Sequence, residues 1–490
     1  MKFYFSFLCL GVVILSSCSN WKAESLYPVP SQALTSAVDR AGGKSGFEQG
    51  ALPEDWWTLF KDPQLNEFIS LALAQSPSLQ KARAQITFAA ASADRVKAAL
   101  FPTLNWNADT SRQKLSTTGV IPFGTPSSTG VQPIVAPTTS SIPEYFTLYE
   151  TELNFAYEFD FWGKNRNTFR SALGEVQTRV AEEAFARLQL SYAVAQAYFH
   201  LQTDYKRESV LSSLVQERME YRDLIQRRIN ANVDTALSLQ NAEYYLAQAK
   251  QTLLALQGDI AVTENLLKAL IAGNFEEEIW DVTILDEPLP SVPLPRDLPL
   301  HLIARRPDII AQLWVIESAG RQIEVAKAGF YPDFNLTGFY GYQTIHFREW
   351  FKWPSSYFDA DVAVSLPIFD GGRLIANLRG SEVNYDLAII KYNDLVINAA
   401  REVLDGIAVL RNQMDQLQVL EAKSSTQEKL YNLSALRVEH NIDTNLDKYL
   451  SQGTYLVSQD EEVVAEGNAV QAMLALIKAL GGGYDTCYEG

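Results

Sequence analysis

Cysteine is almost missing from this chain: Cys9, Cys18 and Cys487 are the only three among 490 residues. Three scattered thiols exclude a disulfide framework and a cysteine-built zinc site. The four histidines, His200, His301, His346 and His440, include no pair at helical ligand spacing, so no metal site is assigned and a histidine site would have to be assembled by the fold. Positive charge is short as well, with 41 Lys and Arg against 58 Asp and Glu and a formal net charge of −17. That balance argues against nucleic acid, which is held through phosphate contacts from a basic face. Catalytic signatures are lacking too: there is no P-loop, HExxH or GxSxG. Gly481-Gly482-Gly483 lacks the Lys and Ser or Thr of a phosphate cradle and reads as a helix C-cap and flexible tail. No catalytic residue is assigned, no soluble cofactor is expected, and the chain does not read as an enzyme. At 47% hydrophobic and 20% charged, it is nonetheless a chain that folds.

Proline is absent between Pro143 and Pro288, and none follows Pro367. Because proline breaks helices, these two stretches are predicted to hold long helices, Lys164–Ala231 and Arg373–His440, each of 68 residues. At 1.5 Å per residue each would reach about 100 Å. On the first, Ala181, Ala184, Leu188, Ser191, Ala195 and Tyr198 follow a 3-4 spacing, and so do Phe185, Leu188, Tyr192, Ala195 and Phe199. Two adjacent seams imply neighbours on two sides, as in a bundle or a closed ring of helices. An ordinary long coiled coil is the alternative.

What is present at the start of the chain concerns its destination. Lys2, then the thirteen-residue apolar run Phe3 to Leu15, then small residues before Cys18, form an export signal. The alternative, a spanning helix, needs about 20 apolar residues, and polar Ser16, Ser17, Ser19 and Asn20 interrupt first. Leu15-Ser16-Ser17-Cys18 resembles the lipobox of bacterial lipoproteins, whose cysteine becomes the acylated first residue, and Ser19 resembles the sorting position of those sent to the outer membrane. Plain secretory cleavage leaving a free thiol is the alternative.

Strands are also present. Tyr149, Thr151, Leu153, Phe155, Tyr157, Phe159 and Phe161 alternate with Glu150, Glu152, Asn154, Ala156, Glu158 and Asp160, giving one aromatic and one acidic face. Leu104, Trp106 and Ala108 alternate with Asn105, Asn107 and Asp109, while Phe358, Ala360, Val362, Val364 and Leu366 alternate with Tyr357, Asp359, Asp361, Ala363 and Ser365. A fourth, weaker candidate covers Phe334 to Tyr342. The strands are placed at about 103–113, 148–162, 333–344 and 356–368. Their lengths suit membrane-crossing β-strands, which need about 9–11 residues, and the aromatic face favours lipid; a sheet packed on a soluble core would alternate in the same way. Ser116 to Pro143, rich in Ser, Thr, Gly and Pro, reads as a long outward loop or a disordered linker.

An internal repeat orders these elements. Ser76-Pro77 matches Arg306-Pro307 and Leu100-Phe101-Pro102 matches Phe330-Tyr331-Pro332, both 230 residues on. Beyond the strands the offset drops: Val233-Asp234-Thr235 matches Ile442-Asp443-Thr444 at 209, and Leu267-Lys268-Ala269-Leu270 matches Ile477-Lys478-Ala479-Leu480 at 210. The difference is the longer first loop. The chain is a duplicated unit of helix, strand, loop, strand, very long helix, turn and helix. The expected organisation is a signal at 1–17, an anchored extended or equatorial segment at 18–64, repeats at 65–273 and 298–483, a linker at 274–297 in the equatorial region and a tail at 484–490.

With these residues in place the chain resembles the TolC family of outer-membrane efflux proteins, in particular the OprM-like lipoprotein branch that serves resistance-nodulation-division systems. The resemblance runs through the lipobox cysteine, Trp56-Trp57…Phe60-Lys61-Asp62-Pro63-Gln64-Leu65, Phe101-Pro102, Tyr331-Pro332, Phe159-Asp160-Phe161-Trp162-Gly163, Leu366-Pro367-Ile368-Phe369-Asp370-Gly371-Gly372 and the duplicated helical turns. It implies a mainly α protein with membrane β: a homotrimer in which each chain gives four strands to a twelve-stranded barrel continuous with a long periplasmic α-helical barrel. It implies an outer-membrane, lipid-anchored location, with Cys18 carrying the lipid. It also implies passive export of small molecules received from an inner-membrane pump and a periplasmic adaptor. An exit duct for type I protein secretion and a lipid-anchored periplasmic coiled-coil scaffold are the rival readings.

Four strands cannot close a membrane barrel, and an open edge in lipid leaves backbone groups unsatisfied, so chains must combine. Glu150, Glu152, Glu158 and Asp160 are then expected to face the lumen. At the helical turns, Asn232 and Asn441 suit the positive φ of a tight reversal, with Asp234 beside the first. The resemblance places the second turn at the periplasmic mouth. Asp443 and Asp447, four apart, are expected to share a helix face and to form a closed, cation-attracting entrance. An N-cap role for Asp443 with a solvated Asp447 is the alternative.

Overall fold

The computed structural model describes residues 25–26, 31–41, 47–50, 52–114, 145–273, 289–294 and 305–484. Cys18 with its export signal, the 116–143 loop and Cys487 lie outside these residues. In chain order the elements are α1 (Ser31–Ala41), β1 (Phe47–Gln49), α2 (Pro63–Gln75), α3 (Pro77–Lys97), β2 (Thr103–Lys114), β3 (Tyr145–Phe159), α4 (Lys164–Asn230) and α5 (Ala236–Leu270). After them come β4 (Val292–Leu294), α6 (Pro307–Ala328), β5 (Asp333–Thr344), β6 (Ser356–Ser365), α7 (Arg373–Glu439) and α8 (Asn445–Ala479). The chain divides into two compact units. One comprises 1–89, 174–316 and 386–490, the other 90–173 and 317–385.

Helices dominate the first unit. α4 and α7 are 67 residues long each and their returning partners α5 and α8 are 35 each. No helix among the described residues is long and apolar enough to cross a membrane. On α4 the first seam is inside, with Ala181, Leu188, Ser191, Ala195 and Tyr198 buried. Phe185, Tyr192 and Phe199 of the second seam are half-buried in the single chain.

The motif around Trp56 has a physical reason. Trp56 packs edge-on to Trp57 and Phe60, and Phe60 lies 4.7 Å from the Phe199 ring. Asp62 caps α2, accepting from the backbone nitrogens of Gln64 and Leu65 at 2.9 and 3.1 Å. Its other oxygen accepts from the Tyr198 hydroxyl at 2.7 Å. A buried carboxylate is tolerable only with such donors, so one residue starts a helix and ties it to α4.

One expectation is corrected. The 18–64 segment, read as extended, contains the eleven-residue helix α1, and its strand β1 pairs in parallel with β4 of the linker, Phe47 opposite Val292. Gly481-Gly482-Gly483, read as a helix C-cap, is one, and it is buried and closely packed, while the tail from 485 lies outside the described residues. Gly481 and Gly482 close α8 through bonds to the carbonyls of Lys478 and Ile477 at 3.0 and 3.1 Å. All three have positive φ, and a Cβ on Gly483 would stand 1.9 Å from the Pro53 carbonyl oxygen.

The second unit holds one four-stranded antiparallel sheet in the order β2-β3-β5-β6. β3 starts three residues earlier than expected, because Tyr145 still pairs with Lys114. β6 stops at Ser365, short of Pro367, which has no N–H to give. The register sets Glu152 opposite both Asn107 and Gly341, and Gly341 opposite Tyr357. Paired residues share a face, so the Tyr357 ring reaches over Gly341, and its hydroxyl donates to Glu152 at 2.9 Å and to Glu150. A Cβ at Gly341 would fall 2.3 Å from the Thr151 carbonyl oxygen. Gly341→Val is expected to cost about 1–3 kcal/mol, read as earlier loss of β-structure on heating, with Tyr357→Phe costing less.

Candidate functional site

The pairing sorts the sheet into two chemically opposite faces. One carries Leu104, Trp106, Leu153, Phe358, Val362 and Val364, all exposed in the single chain. Aromatic bands lie at either end of it. Where the strands meet the helices, Trp162 stacks on Tyr331 at 4.7 Å and Phe161 meets Phe334 at 5.2 Å. At the far end Tyr149 meets Phe347 and Trp350, and Trp350 stacks on Phe351. Phe334 and Tyr342 stand eight residues apart on β5, about 27 Å along the strand. An apolar band of that height between aromatic girdles matches the lipid-facing surface of a membrane strand array.

The opposite face is acidic and bears no Lys or Arg within its strands. Asp109 stands directly opposite Glu150, and Asp359 and Asp361 share the surface. Like charges placed so are unfavourable unless water screens them, which marks this as the wet side. Glu150 and Glu152 lie here. Glu158 is half-neutralised at the edge by Lys164, 2.9 Å away. Asp160 is a correction: it lies past the end of β3 and is not a strand-face acid. Its carboxylate accepts from the backbone nitrogens of Asn165 and Arg166 at 3.2 and 2.8 Å and so starts α4. Asp370 does the same for α7, accepting from Gly372 and Leu374. Asp109, Asp359, Asp361 and Tyr357 belong to this face as well. Their alternation is visible in sequence, but only the pairing shows that they adjoin Glu150 and Glu152.

The helical turns are built alike. Asn232 and Asn441 have φ of 58° and 57°. Each closes its long helix in the same way: Val233 N donates to Arg228 O at 2.9 Å, and Ile442 N to Arg437 O at 2.8 Å. Arg228 Nε then meets Asp234 at 3.0 Å, while Arg437 grips Asp443 with Nε and Nη2 at 2.6 and 2.8 Å. The Ser238 hydroxyl, the Thr235 amide and Arg228 hold the Asp234 carboxyl at a pKa of about 2, and Arg437 likewise lowers that of Asp443. The expectation for the second turn is corrected here. Asp443 and Asp447 do not share a helix face, because Asp443 precedes α8, whose N-cap is Thr444 rather than Asp443. Asp447 is not merely solvated. It accepts from the Thr444 amide at 3.1 Å and hydroxyl at 2.6 Å, as in a capping box, and these bonds lower its pKa. Both acids serve the turn within one chain.

Glu217 on α4 has no counterpart in the sequence reading. Its carboxylate is buried beside Arg218 Nε at 3.3 Å, yet neither oxygen accepts a hydrogen bond. Arg218 is itself fitted over the Tyr245 ring of α5 and against Gly453 of α8, where a Cβ would come within 2.7 Å of it. Burial pushes the Glu217 carboxyl up to about 7 from 4.5. The native state therefore holds a proton that the unfolded chain has lost, and stability falls as pH rises from 4.5 to about 7. Glu217→Gln is expected to raise the apparent Tm by about 2–4 °C at pH 8 and to leave it unchanged at pH 4. A thermal scan at the two pH values checks this. Among the described residues no cluster of three or more potential ligands could hold a metal ion.

The comparisons agree with this geometry. A sequence model described as "Outer membrane efflux protein" matches residues 68–273 and 298–482. The multidrug resistance outer membrane protein MdtQ of Escherichia coli is 28% identical over 496 residues, covering 99% of this chain and 99% of its own. MdtP of the same species, similarly titled, is 27% identical over 97% of this chain and 95% of its own. Among solved structures, the outer membrane protein VceC of Vibrio cholerae superposes with a TM-score of 0.74 at 28% identity, over 89% of this chain and 100% of its own.

Proposed function

The chain belongs to the outer membrane efflux protein family, and we propose that it works as a homotrimer, passing small toxic compounds from an inner-membrane pump and a periplasmic adaptor across the outer membrane. It is the outer-membrane channel of an efflux system, passive and without catalysis. The observation that carries the assembly is the open sheet: four strands whose outer members, β2 and β6, each have one unpaired edge. Backbone groups left unpaired in hydrocarbon cost several kcal/mol each, and the smallest single-chain membrane barrels have about eight strands. Three copies give twelve strands, joined edge to edge, with the acidic faces inward. Small compounds are the cargo favoured here because the curated relatives are named for multidrug resistance.

The adaptor is assigned to the helical turns, which expose Val233, Leu237 and Ile442 to solvent. Exposed aliphatic side chains at the end of a hairpin fit a partner's apolar contact. Cys18 is assigned the covalent lipid, on the strength of the residues before it. The mouth stays narrow while Arg437 holds Asp443, so freeing the second turn widens it.

Single-channel conductance with oligomeric mass tests the whole. The purified protein is expected to run as a trimer and to conduct with cation preference. Glu150→Gln with Glu152→Gln lowers that preference, and Arg437→Ala enlarges the openings by about twofold or more, the acid beside it being released. A monomer that never conducts would sink the reading.

A further inference from the structure

We infer that the outer rim of the sheet is a binding surface for the phosphate groups of the outer leaflet's phosphorylated glycolipid. The inference rests on the channel reading only for placing the sheet in that membrane. On the apolar face of β2, Leu104 and Trp106 give way to Arg112 and Lys114, set opposite Thr147 and Tyr145. Arg112 lies eight residues beyond Leu104, about 27 Å along the strand. An apolar band is about 25 Å tall, so the guanidinium stands at headgroup depth. The link from β5 to β6 adds Arg348 and Lys352 at the same end, interleaved with Phe347, Trp350, Phe351 and Trp353. A groove of about 550 Å³ runs between them, lined by Arg112, Tyr145, His346 and Arg348.

Charge distinguishes this rim from the rest of the molecule. Residues 110–148 and 344–356 contain four Lys or Arg and two Glu, a local +2 in a chain of −17, and 115–143 contains no charged residue at all. At the helical end of the sheet the cations are paired: Lys164 with Glu158, Arg166 with Asp160, Arg373 with Asp370. At the outer rim Lys352 has Glu349 at 3.6 Å, but Arg112 donates only to the neutral Thr147 hydroxyl. Arg348 is exposed and has no partner among the described residues. A guanidinium matches two phosphate oxygens at once, and basic clusters next to aromatic anchors are how membrane proteins meet anionic headgroups. The surface thus offers two guanidiniums without a carboxylate among the described residues, Arg112 and Arg348, at the depth of the phosphates, and rings at the depth of the upper acyl chains. Threefold repetition would make it a belt.

The test is lipid retention by the full-length, detergent-purified protein, read by native mass spectrometry. The lipids are diphosphoryl lipid A, the same lipid without phosphates, and phosphatidylglycerol. The wild type is expected to keep diphosphoryl lipid A, to prefer it over phosphatidylglycerol and to lose it when the phosphates are removed. Combined Arg112→Gln, Lys114→Gln, Arg348→Gln and Lys352→Gln weakens retention at least tenfold, whereas Arg321→Gln with Lys327→Gln on α6 does not. Arg348→Gln alone removes no hydrogen bond or ion pair among the described residues, which separates lost binding from a folding defect, and it should cost about fivefold. Equal retention by the wild type and the fourfold variant, or indifference to the phosphates, overturns the inference. Preference for phosphatidylglycerol also overturns it. Conductance is recorded on the same samples: a silent wild type that still discriminates by phosphate would keep this surface and discard the channel.

Discussion

The structure depends on one rule of the bilayer, that no backbone N–H or C=O inside hydrocarbon goes unpaired. A sheet of four strands breaks that rule at both edges, and the sheet's length, alternation and assembly follow from repairing it. The strands must be long enough to cross, so β2 and β5 have twelve residues each. They must also alternate, because one side meets lipid and the other water. The edges must find strands from other copies, which makes the assembly part of the fold rather than an addition to it.

Much of this was legible in the sequence because period-two alternation and proline spacing are local signals. The strand faces, the two 67-residue helices and the duplication could be read from residue order alone. What escaped reading depends on contacts between distant residues. Nothing in the run of residues around Asp160 says that its carboxylate turns toward the Arg166 amide instead of continuing the strand face. Asp443 and Asp447 have helical spacing, but Thr444 between them starts the helix, so the spacing carried no geometric meaning. Glu217 looks like any surface acid on a long helix, and its burial shows only once the helices are packed. The α1 helix is short, and the three-residue strands β1 and β4 that pair lie more than 240 residues apart, so neither leaves a strong local signal.

The two turns show how duplication constrains interpretation. Arg228 and Asp234 in the first repeat have the same relation as Arg437 and Asp443 in the second. A feature that appears in both copies answers first to the demands of folding a hairpin. Difference between the copies is then the better guide to specialised behaviour, and here it lies in the grip, one nitrogen on Asp234 against two on Asp443.

The matched lengths, 67 with 67 and 35 with 35, have a further meaning. One residue added to a long helix turns everything beyond it by about 100° and advances it about 1.5 Å. Every seam past the insertion would then point at the wrong neighbour, in its own chain and in the adjoining ones. The two halves have accordingly diverged in length almost only between β2 and β3, where the offset between repeats falls from 230 to 209. Residue count along the walls behaves as a gear ratio, unable to drift, while the segment between β2 and β3 can change in length without turning any helix.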